Sequence, residues 1–100
     1  MVSPEALLPR ARELAAEIAE NSSPMSVTLS RQLMWKMLGA SHPMEAHRIE
    51  SKALQFMGSG PDSREGVESF LEKRPPQFKL QVTSGLPAFF PWWVDPFYDE

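Results

Sequence analysis

The sequence predicts an all-α fold, a small bundle of about four helices followed by an extended aromatic tail. Three observations support this prediction: prolines placed where helices start, apolar residues at helical spacing, and a change of composition after Pro75-Pro76. Proline at the first helical position loses only an N–H that has no partner there. The four start signals are Pro4, Pro24, Pro43 and Pro61. The predicted helices span roughly residues 4–20, 24–38, 43–57 and 62–74.

The first two helices are predicted from their apolar stripes. Pro9 falls inside the first helix and is expected either to kink it or to delay its regular part. Gly39 is the expected residue just after the second helix. The stripe of the first helix is Leu7, Ala11, Leu14 and Ile18, and that of the second is Leu29, Leu33 and Met37, with Met34 and Leu38 beside it.

The last two helices have clearer boundaries. Asp62 is the expected N-cap of the fourth helix, with Glu65 completing a capping box three residues later. Pro75 and Pro76 forbid helix beyond Arg74. The predicted core faces are Ala46, Ile49, Ala53, Phe56 and Met57 in the third helix and Val67, Phe70 and Leu71 in the fourth.

The tail, residues 79–100, is predicted to be a separate extended unit after a helical domain at 1–78. Residues 81–83 are compatible with a brief strand, but the rest has no helical period. Its rings require an apolar surface, or else the tail is a disordered segment or a recognition motif for another protein. The aromatic cluster is Phe89, Phe90, Trp92, Trp93, Phe97 and Tyr98.

Composition excludes several classes of function. The net charge is −3, from 13 acidic and 10 basic residues. These are mixed along the chain, so no basic block exists to follow a nucleic acid backbone. No cysteine is present, which excludes disulfides and thiolate metal sites and permits a reducing compartment. Apolar runs are too short to cross a membrane. We therefore predict a soluble, cytoplasmic protein with neither nucleic acid nor membrane as partner.

The candidate catalytic groups have simpler structural explanations. Glu65, Glu68 and Glu72 share a helical face, but capping and ion pairing account for them. His42 and His47 are five residues apart, which does not suit a helical metal pair. We predict no catalytic residue and no metal site in this chain.

One segment, residues 62–78, carries a family resemblance. It reads Asp-x-x-Glu-Gly-x-x-x-Phe-x-Glu-Lys-Arg-x-x-x-Phe and resembles the closing sequence of enoyl-CoA hydratase/isomerase (crotonase-family) subunits. With the helices before it, the similarity extends from Leu7 to about Phe78. It implies that this chain is the C-terminal helical region of such an enzyme. The spiral core, with its oxyanion-binding N–H groups and acidic residues, is absent from this sequence.

The resemblance implies specific roles. The chain is expected to be inactive alone, while its parent acts as a lyase or isomerase on an acyl-CoA in fatty acid metabolism. The matching helices drive trimers or dimers of trimers, and Phe70 and Lys73 are the coenzyme A contacts made across subunits. No cofactor is implied, since the CoA thioester is the parent's substrate. Residues 90–93, Phe-Pro-Trp-Trp, resemble an extension carried by a subset of the family, expected to lie across its own or a neighbouring subunit.

Two alternatives remain open. From the residues alone, Phe70 is interpreted as a core residue and Lys73 as a charge placed favourably at the helix C-terminus, and this interpretation is preferred to a ligand-binding role. A free-standing helical adaptor that presents residues 89–98 to a protein partner is the rival function.

Overall fold

All four predicted helices are present, and each begins at or just after the proline that marks it. The structure is a computed structural model that describes residues 1–97. No strand occurs within that range, so the all-α prediction is confirmed. The elements are a 3-10 turn (Pro4–Ala6), α1 (Leu7–Asn21), α2 (Pro24–Lys36), α3 (Pro43–Gly58) and α4 (Pro61–Leu71).

Pro9 does not interrupt α1, because the regular helix starts only at Leu7. Pro9 is therefore in the first turn, where its missing N–H would have no intrahelical partner. Of the two predicted effects, the delayed start is the one observed.

Two helices end earlier than predicted. α2 stops at Lys36, where Met37 is the C-cap and its N–H donates to Leu33 O at 3.1 Å. The position just after the C-cap is therefore Leu38, and Gly39 lies one residue beyond the place predicted for it. α4 stops at Leu71, three residues before Arg74, because the backbone reverses at the residues that follow.

The predicted capping box of α4 is wrong. The N-cap is Gly60, which provides no side-chain hydrogen bond. Asp62 lies inside the helix, and its carboxylate instead accepts from distant groups described below. Among the other helices, Ser23 Oγ accepts from Ser26 N and caps α2.

The core is small and lies between α2 and α3. Within residues 1–97 its buried apolar side chains are Met25, Leu29, Ile49 and Ala53. The tail packs against this core rather than leaving it. Partly buried residues around it are Phe56, Met57, Leu80, Phe89, Phe90 and Trp92. The tail therefore lies across its own helices.

Aromatic side chains of the tail contact α2 and α3 and hold the tail against these helices. Phe89 meets Phe56 of α3 edge to face, with centroids 6.4 Å apart, and Trp92 and Trp93 meet at 5.0 Å. The Lys36 ammonium lies 4.7 Å from the Trp93 ring centroid, within cation–π range. Tyr98, predicted to join this cluster, lies outside the described residues.

The tail begins with a turn. The brief strand that was compatible with residues 81–83 is not formed. Gln81 O accepts from Gly85 N at 2.7 Å and from Ser84 N at 3.3 Å. This turn reverses the chain and directs the aromatic residues onto α2 and α3.

α1 contributes nothing to the core. Every residue from Leu7 to Asn21 is exposed, including the predicted apolar stripe. The radius of gyration is 16.9 Å, whereas a compact chain of 100 residues has about 13 Å. The chain thus presents an unburied amphipathic helix beside a thin α2–α3–α4 body.

Candidate functional site

The C-terminal end of α4 holds both residues that the sequence suggested for ligand binding. Phe70 is 81 % exposed, and Val67 and Leu71 beside it are also exposed. The buried residues of α4 are instead Asp62 and Ser69. The prediction that Val67, Phe70 and Leu71 form the core face is therefore wrong, and so is the interpretation of Phe70 as a core residue.

The orientation of α4 follows from the partners of Asp62, which is 2 % exposed. Its carboxylate accepts from Ser23 Oγ at 2.5 Å, from Lys79 N at 2.9 Å and from Leu80 N at 3.2 Å. These three donors satisfy a buried carboxylate and join the start of α2, the first turn of α4 and the start of the tail. Once this face is inward, the apolar face of α4 has to point outward.

Gly66 lies on the inward side of α4. A Cβ built at this position would meet only the Phe78 ring, at 3.9 Å. Within this chain, Gly66 therefore faces the segment after α4 and does not mark a close contact between two helices.

Lys73 lies beyond the helix, in a left-handed backbone conformation with φ 56°. Arg74 N donates to Ser69 O at 3.0 Å and Lys73 N donates to Phe70 O at 3.3 Å. This pair of hydrogen bonds is the Schellman motif, in which glycine is the usual left-handed residue. Lys73 and Phe70 are thus joined through the backbone of a C-terminal turn, in which Lys73 lies outside α4.

Arg74 closes the same turn through its side chain. Its guanidinium donates to both oxygens of Glu65, at 2.6 and 3.0 Å, and its Nε donates to Glu72 Oε2 at 2.6 Å. Gln77 N also donates to Glu65, at 2.8 Å. Sequence reasoning missed this network because Glu65 and Arg74 are nine residues apart, which is not a helical ion-pair spacing.

The Arg74 hydrogen bonds, together with the Gln77 N–H, lower the pKa of Glu65 from 4.5 to about 2. The pKa of Arg74 is raised in turn by its hydrogen bonds to Glu65 and Glu72. Glu65 is therefore held ionised, the opposite of what a general acid at neutral pH requires.

Metal chemistry has no support in the described part of the chain. Residues 1–97 contain no group of three potential metal ligands of the His, Cys, Asp or Glu type. His42 caps α3, since its Nδ1 accepts from Met44 N at 3.0 Å. No helix among the described residues is long and apolar enough to cross a membrane.

An open apolar cleft of about 340 Å³ separates the C-terminal half of α1 from α2. Ile18 and Val27 line its two sides, and both are exposed. The residues that line this cleft are far in sequence from the Phe70–Lys73 turn, and most of them are small or apolar.

Comparisons with known proteins give a consistent result. A family model described as enoyl-CoA hydratase/isomerase matches residues 1–81. The chain is 46 % identical over 72 residues to the enoyl-CoA hydratase ACTT3 of Alternaria alternata, a match covering 72 % of this chain and 24 % of that protein. It is 33 % identical over 75 residues to a putative enoyl-CoA hydratase of Thermus thermophilus, covering 75 % of this chain and 29 % of that one.

A solved structure gives the same answer. A probable enoyl-CoA hydratase/isomerase from Mycobacterium abscessus superposes with a TM-score of 0.75 at 26 % identity, covering 80 % of this chain and 32 % of that one. The chain thus spans about a quarter to a third of the length of these proteins. By the match over residues 1–81, the chain belongs to the enoyl-CoA hydratase/isomerase family.

Proposed function

We propose that this chain is the C-terminal subunit-association and acyl-CoA-capping region of an enoyl-CoA hydratase/isomerase enzyme. The single observation that carries the proposal is the outward-facing Phe70–Lys73 turn. The family motif places an apolar ring and a lysine there, and the fold leaves both exposed. The parent enzyme acts on an acyl-CoA thioester, and this region alone has no turnover because it lacks the oxyanion-binding core.

Association is the first part of the proposed role. All of α1 is exposed, and its apolar side chains include Leu14 and Ile18. An amphipathic helix without a partner gains free energy by burying its apolar stripe against another surface. We infer that α1 packs on the missing core or on a neighbouring subunit, in a trimer or a dimer of trimers.

Ligand capping is the second part. A phenylalanine side chain suits the apolar acyl or pantetheine portion of acyl-CoA, and an ammonium suits a nucleotide phosphate. The ion pairs found in residues 1–97 involve Arg10, Lys36 and Arg74, and none involves Lys73. Its ammonium is therefore available to a phosphate of coenzyme A bound in the adjacent subunit. No separate cofactor is proposed.

The test uses the complete gene product that contains this region. Lys73→Ala should raise KM for the acyl-CoA substrate by about tenfold with little change in kcat, since a charge-assisted hydrogen bond contributes roughly 1.4 kcal/mol. Raising the ionic strength should raise KM of the unaltered enzyme more than KM of the variant.

Lys52→Ala is the matched control. It also removes one exposed lysine, but Lys52 lies on α3, away from the turn that ends α4. KM should not change in this control. An unchanged KM in Lys73→Ala would refute the assignment of Lys73 as a coenzyme A contact. A complete gene product of 100 residues without any acyl-CoA chemistry would refute the proposal that the chain is part of a larger enzyme.

The adaptor alternative is weakened by the packing of the tail. Phe89, Phe90 and Trp92 are partly buried against the chain's own core, so they are not presented as a free recognition motif. We favour the tail as a strap that stabilises α2 and α3. The cytoplasmic location, the helical domain boundary at residue 78 and the absence of nucleic acid and membrane partners remain predictions.

A further inference from the structure

The left-handed residue of the α4 terminal turn is a lysine, which is an uncommon choice. A side chain with a Cβ is strained at φ 56°, and glycine or asparagine is normally selected at this position of a Schellman motif. Strain of this kind persists only where the surrounding structure holds the backbone in place. Around Lys73 this structure is the Arg74 network, which consists of the hydrogen bonds of Arg74 with Glu65 and Glu72 and that of Gln77 N with Glu65.

Arg74 fixes the chain on both sides of Lys73. It binds Glu72, the preceding residue, and it binds both oxygens of Glu65, two turns earlier in α4. Glu65 also accepts from Gln77 N, three residues beyond Arg74. The segment that contains Lys73 is therefore tied to the body of α4 through Glu65 by two residues, Arg74 and Gln77, and the Arg74–Glu72 contact closes the turn around Lys73 itself.

Arg74 also controls the charge around Lys73. Glu72 is adjacent to Lys73 in the chain, and Glu65 lies earlier, in α4, so the segment that leads into Lys73 carries both of these carboxylates. The guanidinium engages both of them, and a bidentate arginine–carboxylate pair holds its geometry well. Lys73 is left as a cation without a carboxylate partner in residues 1–97.

We infer that Arg74, acting through Glu65 and Glu72, is a positioning residue for Lys73. It holds the strained turn and engages Glu72 and Glu65, so that the Lys73 ammonium meets an incoming phosphate unpaired and in a defined place. This inference rests on the proposed role of Lys73 toward coenzyme A, and it extends that role to a residue that does not touch the ligand.

The test compares Arg74→Gln and Glu65→Gln in the complete gene product, with two substrates. Both variants should raise KM for the acyl-CoA about three- to tenfold while kcat stays within twofold. With the same acyl group on pantetheine, which carries no nucleotide phosphates, KM should stay unchanged. Arg74→Lys keeps the charge but loses the fork that bridges two carboxylates, so it should rescue KM only partly.

A double-mutant cycle separates positioning from general damage. In the Lys73→Ala background, Arg74→Gln should add no further increase in KM, because no ammonium remains to be positioned. Equal increases with both substrates, or the same increase in both backgrounds, would show a merely structural role and overturn the inference. If Arg74→Gln unfolds the protein, Glu72→Gln removes the acceptor charge from only one of the three hydrogen bonds of the Arg74 guanidinium and is measured in the same cycle.

Failure of this inference is distinguishable from failure of the proposed function. If Lys73→Ala raises KM and the Arg74, Glu65 and Glu72 variants do not, positioning by Arg74 is wrong while the coenzyme A contact stands. If Lys73→Ala itself has no effect on KM, the contact is wrong and the positioning role is wrong with it.

Discussion

Replacement of Gly85 by alanine tests whether the tail is an integral part of the fold. A Cβ built at Gly85 would lie 2.9 Å from Gln81 O, 3.4 Å from Met25 Cε and 3.5 Å from Leu80 Cδ2. The first distance is shorter than real Cβ contacts allow, and the crowded atom is a backbone carbonyl that cannot rotate away. This carbonyl also accepts the Gly85 and Ser84 N–H groups that form the turn.

The magnitude follows from two opposing terms. Overpacking of this kind costs about 1–3 kcal/mol, and each weakened hydrogen bond about 1 kcal/mol more. Restricting the unfolded chain returns about 0.4–1 kcal/mol. With both hydrogen bonds of the turn weakened, Gly85→Ala should therefore lower the free energy of unfolding by about 2–4 kcal/mol, and Tm should fall by roughly 4–8 °C for each kcal/mol.

Gly66→Ala is the control with the opposite expected sign. Its Cβ would make only an ordinary contact with Phe78 at 3.9 Å, and alanine is favoured over glycine inside a helix by about 1 kcal/mol. Urea unfolding of the 100-residue chain, followed by tryptophan fluorescence and far-ultraviolet circular dichroism, measures both variants. A Gly85→Ala variant at least as stable as the unaltered chain would refute the docked tail.

Three further predictions follow from the site and the exposed helix. Because the pKa of Glu65 is lowered to about 2 in the folded chain, its stabilising contribution is complete above about pH 4.5 and is lost as the pH falls toward 2. Urea titrations at each pH should show that the free energy of unfolding of Glu65→Gln depends less on pH between 4.5 and 2. Lys73→Gly should raise the free energy of unfolding by about 1 kcal/mol, because glycine relieves the left-handed strain, whereas Lys73→Ala should not raise it. Equal changes in the free energy of unfolding for the two variants would contradict the strained turn. Light scattering should show that the isolated chain self-associates at high micromolar concentration, and the double variant Leu14→Glu with Ile18→Glu should associate less because it places charges on the apolar stripe of α1. A strictly monomeric unaltered chain would count against the role of α1.

Local signals in the sequence predicted the helices well. Proline at the first helical position and apolar spacing act over a few residues, so α3 was predicted to within one residue of its end. The apolar stripe of α1 was predicted from the same spacing. The family motif alone suggested residues 70 and 73 as the candidate site.

Long-range contacts explain what the sequence did not reveal. Asp62 resembles a helix cap locally, yet its partners lie 39 residues before it, at Ser23, and 17 residues after it, at Lys79. Those contacts turn the apolar face of α4 outward, which periodicity alone cannot indicate. Nothing local marks Lys73 as left-handed either, because lysine has no preference for that conformation; the turn is accompanied by the contact of Arg74 with Glu65, nine residues earlier.

Subunit mixing tests the central claim most directly. One version of the complete gene product carries Lys73→Ala on an intact core, and the other keeps Lys73 but has an inactivated oxyanion loop in its core. If Lys73 caps the acyl-CoA bound in a neighbouring subunit, co-assembled oligomers should contain sites with an intact core and a lysine, and their KM should fall toward that of the unaltered enzyme. A mixture whose KM stays at the Lys73→Ala value would contradict the claim that this C-terminal region completes its neighbour's site.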